Sequence, residues 1–404
     1  MPSSISIYAL VPLLTLLQGF LFATLLILRG YREERYADYW LAFALILLSI
    51  NGVPYMFGWL GIETLWEDYT YLPWDGFWLV IPPTIYFFLK SLTNDQWRFA
   101  WRRDVWHFTA YGIYFVEHLI VGLIGLNNKS FVTTWGEQPI LIFINPLLSW
   151  GIEIYYFILS YRLYKDYKKW TLNEFSDPDS ISFTWVRNYL VVKLCLTLIS
   201  IANFLVVHLS LKKGNDLYAL MWWGYLMDTL LIYYLSISGY AQSRVKTVRF
   251  TQETPAIVIE TDNSTEHPIP ITLSIESDTV TEKEGTKNKN TLTETDLEAW
   301  KTKVLTFFAT QKPYLNPELT LSDLASNLKT NTSILSQVIN SGFSKNFNDF
   351  VNQYRVEEFK QKAKSTDYQH LTLLAIAFEC GFNSKATFNR AFKKMTGQNP
   401  SDLF

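Results

Sequence analysis

Residues 373–400 read LLAIAFECGFNSKATFNRAFKKMTGQNP. Leu373, Leu374, Ile376, Ala377 and Cys380 share one face at helical spacing, and Gly381 ends that helix. Phe382 plugs the turn. Asn383 or Ser384 caps a second helix, whose Phe388, Ala391 and Phe392 face inward. Gly397 ends this helix and Pro400 prevents its continuation. Two short helices joined by a tight turn make a helix-turn-helix unit. Outward on the second helix stand Lys385, Asn389, Arg390, Lys393 and Lys394. Such a row serves phosphates and base edges, because Arg pairs bidentately with guanine and Asn with adenine.

The same pattern occurs once more upstream. Thr320 and Asp323 fit a capping box, and Leu321, Leu324, Ala325 and Leu328 form the stripe behind it. After a short turn, Leu335, Val338 and Ile339 mark a second helix, closed by Gly342. A longer helix over Phe347–Lys364 follows, with Phe347, Phe350, Val351, Tyr354 and Phe359 on its buried side. From Leu297 to Phe404 there are thirteen cations against nine anions. A solvated helix face explains any single Lys but not two such units in tandem, and a mildly basic domain suits DNA.

These residues resemble the DNA-binding domain of the AraC/XylS transcription regulators. The resemblance rests on Ala377 to Phe382, on Phe388 to Lys394, and on Gly397 and Pro400. It extends more loosely through Leu324-Ala325, Ser333, Leu335, Gly342, Phe350 and Arg355. It implies that each unit places its second helix in successive major-groove segments. Thr332, Ser333, Ser336 and Gln337 would then be presented by the first reading helix. The second would present Lys385, Ala386, Asn389 and Arg390, with Lys393 and Lys394 beside them. The first set offers only short or uncharged polar side chains.

Upstream, the composition reverses twice. Residues 250–296 hold ten acidic residues against three Lys and lack long apolar periodicity, the pattern of a flexible acidic linker. Within it, Ala256–Glu260 and Ile269–Ile275 alternate as a transient strand pair would. Before it, residues 1–249 are dominated by apolar runs. A span needs roughly 20 residues to cross about 30 Å of hydrocarbon. Seven runs qualify: Ile5–Leu28, Tyr36–Leu60, Leu72–Leu92, Val105–Leu126, Pro139–Tyr164, Trp185–Leu211 and Leu217–Tyr240. Asn51, Gly52, Pro54, Pro82 and Pro83 interrupt the second and third. The first lacks the basic start and small-residue cleavage site of a signal peptide.

Loop charges set the expected orientation. Arg29, Arg32, Arg35, Lys90, Arg98, Arg102, Arg103, Lys165, Lys168, Lys169, Arg187, Arg244, Lys246 and Arg249 fall on one side. Only Lys129, Lys212 and Lys213 fall on the other. The N-terminus is therefore expected outside and the C-terminus in the cytoplasm of a bacterial inner-membrane protein. Trp66, Trp97, Trp106 and Trp170 are among the aromatics near span ends, where amphipathic rings favour the interface. Ionisable residues inside spans are rare and mark function. Glu117, His118, Glu153, Lys193 and Asp228 are thus a candidate intramembrane polar site, with a structural ion pair of Lys193 and Asp228 or Glu153 as the plainer reading.

The composition excludes several classes. The whole chain of 404 residues has 18% charged and 17% aromatic residues, a net charge of −2 and two Cys. That rules out a uniformly basic nucleic-acid protein, a disulfide scaffold and a four-thiolate zinc site. Glu117-His118 lacks a second His at metalloprotease spacing, and no phosphate-binding Gly loop occurs. The expectation is an all-α non-enzyme without cofactor or metal: a seven-helix transmembrane bundle followed by a double helix-turn-helix domain of the AraC type. The architecture resembles the membrane-anchored AraC-type regulators of Bacteroidota. Expected partners are double-stranded DNA, membrane lipid, a second copy of the chain, a signal ligand and RNA polymerase. The rival is a membrane ligand-binding or transport protein whose helical tail binds a protein partner. A further rival is a regulator whose membrane part is only an anchor.

Overall fold

The computed structural model describes residues 9–60, 73–125, 139–209, 216–242 and 292–403. Most of the acidic linker, with its two alternating pieces, and Trp66, Lys129, Lys212, Lys213, Arg244, Lys246 and Arg249 lie outside them. Among the described residues the regular elements are all helices, joined by turns and short loops, and an isolated antiparallel bridge pairs Phe175 with Thr320. The chain divides into two units. One comprises Met1–Lys168 with Ile181–Gln252, the other Lys169–Ser180 with Glu253–Phe404.

In the first unit, three helices are long and apolar enough to cross a membrane: Leu10–Glu33, Trp101–Gly125 and Thr184–Val206. Their outward faces carry large exposed apolar side chains such as Leu17, Leu21, Ile113, Leu123, Leu198 and Ile199. The second and third sequence runs are not single helices. Tyr36–Ile50 stops at Asn51-Gly52 and resumes as the short helix Val53–Trp59. Pro73–Leu79 is a 3-10 turn before Ile81–Thr93, whose 13 residues span only about 20 Å. Gly and Pro account for both breaks. By contrast, the fifth run extends well past Tyr164, as a helix of 36 residues from Pro139 to Glu174.

A buried ion pair ties this unit together at one end. Arg29 donates from Nε and Nη2 to both carboxylate oxygens of Asp38, at 2.7 and 2.9 Å. It also donates to the carbonyl oxygens of Gly239, at 3.0 Å, and Tyr240. The helices Leu10–Glu33, Tyr36–Ile50 and Asp216–Ala241 meet on this one guanidinium. Bidentate geometry and filled donor sites are what a desolvated pair requires.

The second unit is built on two apolar clusters sharing one helix. The helix Glu294–Gln311 begins three residues before Leu297, because Thr293 accepts from the Asp296 amide and caps it. It packs Val304 and Phe308 against Leu324, Leu335, Val338 and Phe350. Helix Leu321–Asn327 starts with the expected capping box: the Thr320 amide donates to Asp323 Oδ2 at 3.0 Å, and the Asp323 amide to Thr320 Oγ1 at 3.1 Å. Thr332–Gln337 follows and continues as a π turn through Gly342. Gly342 is not the left-handed residue closing this element. Ser344, at φ 54°, takes that conformation, while a Cβ on Gly342 would press on Lys301 at 3.0 Å.

The connecting helix Phe347–Lys364 has the expected bounds. Its first half joins the first cluster; Val356 and Phe359 enter the second with Ile376, Phe382, Phe388 and Phe392. Leu373–Glu379 and Lys385–Thr396 complete the second helix pair. Ser384, not Asn383, is the cap, accepting from the Thr387 amide at 3.1 Å. Gly397 closes the helix at φ 79°. Cys380 is fully buried, and burial pushes its thiol up to about 12, the state of a packing residue.

The two pairs are joined at a crowded point. Gly381 has φ 91°, and a Cβ there would sit 2.3 Å from Tyr314 O and 3.0 Å from Arg355 Nε. Gly381→Ala should therefore lower the stability of a fragment of residues 292–404 by more than the about 1–2 kcal/mol of a left-handed alanine alone. Urea unfolding followed by circular dichroism measures this; an unchanged midpoint would contradict the contact.

Candidate nucleic-acid interface

The sequence-derived reading residues fall on two separate helices. On Thr332–Gln337, Thr332 and Ser333 are exposed, while Ser336 and Gln337 are half-buried. Ser336 Oγ already accepts from Asn340 Nδ2 at 3.1 Å. On Lys385–Thr396, Lys385, Ala386, Arg390, Lys393 and Lys394 are exposed and Asn389 is half-buried. Its inward residues Phe388, Ala391 and Phe392 leave that polar row no other direction. The helix thus presents two hydrogen-bonding side chains, Asn389 and Arg390, within a cationic surround.

Two of these cations are engaged within the unit. Lys394 Nζ lies 2.7 Å from both oxygens of Asp349 on the connecting helix. Arg390 Nη2 donates to Asp179 Oδ2, which also accepts from Thr387 Oγ1 at 2.9 Å. The sequence reading passed over Asp179. It stands in the short segment between Pro139–Glu174 and Thr184–Leu209, which carries no cation and no apolar periodicity to draw notice. Trp170, read as an interfacial aromatic, belongs to the same second unit and packs edge-on to Phe175 at 5.5 Å.

That segment is held at several points. The Ser176 amide donates to Leu319 O at 3.1 Å, and Asn348 Nδ2 donates to Ser176 O at 2.6 Å. Arg355, fully buried, donates from Nη2 to Ser176 Oγ at 3.0 Å and Asn316 O at 2.8 Å, and from Nε to Tyr314 O at 2.8 Å. Burial pushes this guanidinium down to about 10, against the opposing pull of Asp177. Asp177 Oδ2 in turn accepts from Asn383 Nδ2 at 3.0 Å.

In the first unit, three of the five intramembrane candidates come together. Lys193 Nζ lies 3.4 Å from Glu153 Oε1 and 3.5 Å from Asp228 Oδ1. Thr197 Oγ1 donates to Glu153 Oε2. Lys193 therefore pairs with both acids and not with one. Glu153, Lys193 and Thr197 line a small cleft with Ile85, Tyr156 and Tyr189. Glu117 and His118 stand apart from them: the His118 ring stacks on Tyr114 at 3.8 Å, and its Nδ1 lies 3.2 Å from Tyr114 O. Among the described residues no cluster of His, Cys, Asp and Glu could hold a metal ion.

Comparison with curated proteins and with solved structures gives no match. A family model does match, described as a helix-turn-helix domain, over residues 324–404. That range takes in both reading helices and the connecting helix between them. The C-terminal part of this chain is a helix-turn-helix domain, in agreement with the AraC-type resemblance its motifs carry.

Proposed function

We propose that the chain is a membrane-anchored, sequence-specific DNA-binding transcription regulator that senses a signal in its own membrane part. The observation carrying this reading is the pair of helix-turn-helix units on one connecting helix, each with an accessible polar second helix, in a chain that also holds long apolar helices. Rigid attachment to Phe347–Lys364 fixes the spacing of the two reading helices, so one chain would read successive major-groove segments. A second copy would lengthen the site and raise affinity.

Seven crossings are supported by more than the three long apolar helices. Pro139–Glu174 and Asp216–Ala241 have 36 and 26 residues, ample for about 30 Å. The remaining two crossings would be built from broken helices, tolerated where neighbours satisfy the freed backbone groups. Tyr36–Ile50 and Ile81–Thr93 are mostly buried, as such interior pieces need to be. In this arrangement the N-terminus is outside and the DNA reader is cytoplasmic. Reporter fusions after Arg35, Arg103, Lys169 and Arg249 should report cytoplasm, and fusions near Asp68, Lys129 and Lys213 the outside. An external signal at Arg249 would sink the reading.

DNA selection from a random library with the full chain in nanodiscs should enrich one motif. Arg390→Ala should then relax base preference at one position, by about 1–3 kcal/mol, whereas Lys394→Ala should weaken all sequences alike. Binding isotherms on the enriched and a scrambled duplex separate the two. Equal loss on both duplexes for Arg390→Ala would remove Arg390 from the base-reading set.

The polar trio is where a signal would act. Removing one partner from a desolvated charge cluster leaves an uncompensated charge, which is more disruptive than removing the pair. Asp228→Asn should change target-gene output without abolishing membrane insertion. Adding Lys193→Met should restore folding but not signalling. Unchanged output from Asp228→Asn would leave the membrane part as an anchor.

A further inference from the structure

The segment Phe175–Asp179 lies within Lys169–Ser180, which belongs to the helix-turn-helix unit, while the chain up to Lys168 and from Ile181 belongs to the other unit. Its two carboxylates hold three side chains at the start of the second reading helix. Asp177 takes Asn383; Asp179 takes Thr387 and Arg390. Thr387 and Arg390 are three residues apart on one face of the helix, and Asn383 stands just before its cap. The N-terminal turns of a second helix are where such units meet base edges. Asp177 and Asp179 thus offer the helix carboxylate oxygens where duplex DNA would offer phosphate and base acceptors.

We propose that this segment is an intramolecular plug, which must leave the second reading helix before DNA is read. The proposal rests on the DNA-reading assignment of Lys385–Thr396 and adds its regulation. The ion pair of Asp179 and Arg390 is largely exposed, and alone it would hold little. The hold comes from the set: the Asn383 and Thr387 bonds, the Ser176 amide on Leu319 O, and Ser176 buried against Asn348 and Arg355. Pro178 opens a 3-10 turn and restricts Asp177 before it, so the acidic tip and Ser176 move as one piece. Release does not dismantle the domain. Arg355 keeps Tyr314 O and Asn316 O when Ser176 goes, and its remaining N–H groups turn to water.

The trigger is covalently available. The segment joins the helix carrying Glu153 to the helix carrying Lys193 and Thr197, the residues that bond each other in the first unit. A shift of one of these helices along the other pulls on a link of fewer than ten residues between Glu174 and Thr184. A plug of this kind lowers apparent DNA affinity by the fraction of chains in which it is open.

The test uses the full chain in nanodiscs and a duplex enriched from a random library by the Asp177→Asn/Asp179→Asn variant. Neither substitution touches the reading helix itself. The variant should bind this duplex at least about tenfold more tightly than the unaltered chain. Hydrogen exchange supplies the second measurement. In the unaltered chain, the Ser176 amide, bonded to Leu319 O, should be protected without DNA and lose that protection when the enriched duplex saturates it. Equal affinity of the two chains overturns the plug and leaves DNA reading standing. Tighter binding with protection unchanged by DNA assigns the gain to charge alone and also overturns it. Failure of the variant to enrich any sequence overturns the DNA reading, and the plug with it.

Discussion

A guanidinium can stay fully buried only while its N–H groups find acceptors, and the second unit is assembled around how Arg355 finds them. It rises from the middle of Phe347–Lys364, between the residues that enter the first apolar cluster and those that enter the second. Its Nε and Nη2 bind the carbonyls of Tyr314 and Asn316, which fixes the strand of chain leading into the first helix pair. Gly381, from the second pair, lies against the same atoms, and a side chain there would displace them. One charged group therefore sets the relative placement of both pairs. Apolar packing alone is non-directional and would allow the two halves to slide on the shared helix.

The first unit reverses this distribution of polar and apolar groups. Its outward surface is rich in Leu, Ile and Val, while buried positions include Thr15, Gln18, Arg29, Asp38 and Ser49. Thr15 and Thr229 meet at 2.7 Å across two helices. Were these helices in lipid, as proposed, hydrogen bonds and close packing would hold together helices that hydrophobic burial does not drive together. The Arg29 and Asp38 pair is the strongest of these links, and it captures the carbonyls at the end of the last helix, just before the chain enters the acidic linker. Arg29 entered the sequence reading only as an orientation marker, because nothing local in the sequence joins it to residues over two hundred positions away.

Local chemistry was legible and most distant partnerships were not, the pairing of Lys193 with Asp228 or Glu153 being the exception. The capping box at Thr320 and Asp323, the bounds of Phe347–Lys364, and the glycines at 381 and 397 follow from rules acting within a few residues. Gly342 ends its helix as expected, but as the last residue of a π turn, and the left-handed conformation is taken by Ser344 two residues on. Asn383 was an equal candidate for the cap with Ser384, and its actual partner, Asp177, stands in another part of the sequence. The interruptions at Asn51-Gly52 and at Pro82-Pro83 were legible as breaker residues, and the helices stop and restart beside them. Among the intramembrane charges, the trio of Glu153, Lys193 and Asp228 is distinguished from Glu117 and His118 only by which helices are neighbours.

Arg390 belongs to two sets of contacts at once, those within the unit and those expected with a duplex. Residues with two obligations cannot drift freely. A substitution at 390 that suited a new base pair would simultaneously alter how firmly Asp179 is held, so changed operator taste and changed basal output would arrive in a single step. Divergence of such a regulator toward new target genes is then easiest in two places. One is the first reading helix, whose Thr332 and Ser333 have no such double duty. The other is a matched exchange between positions 179 and 390, where each change is tolerable only with its counterpart.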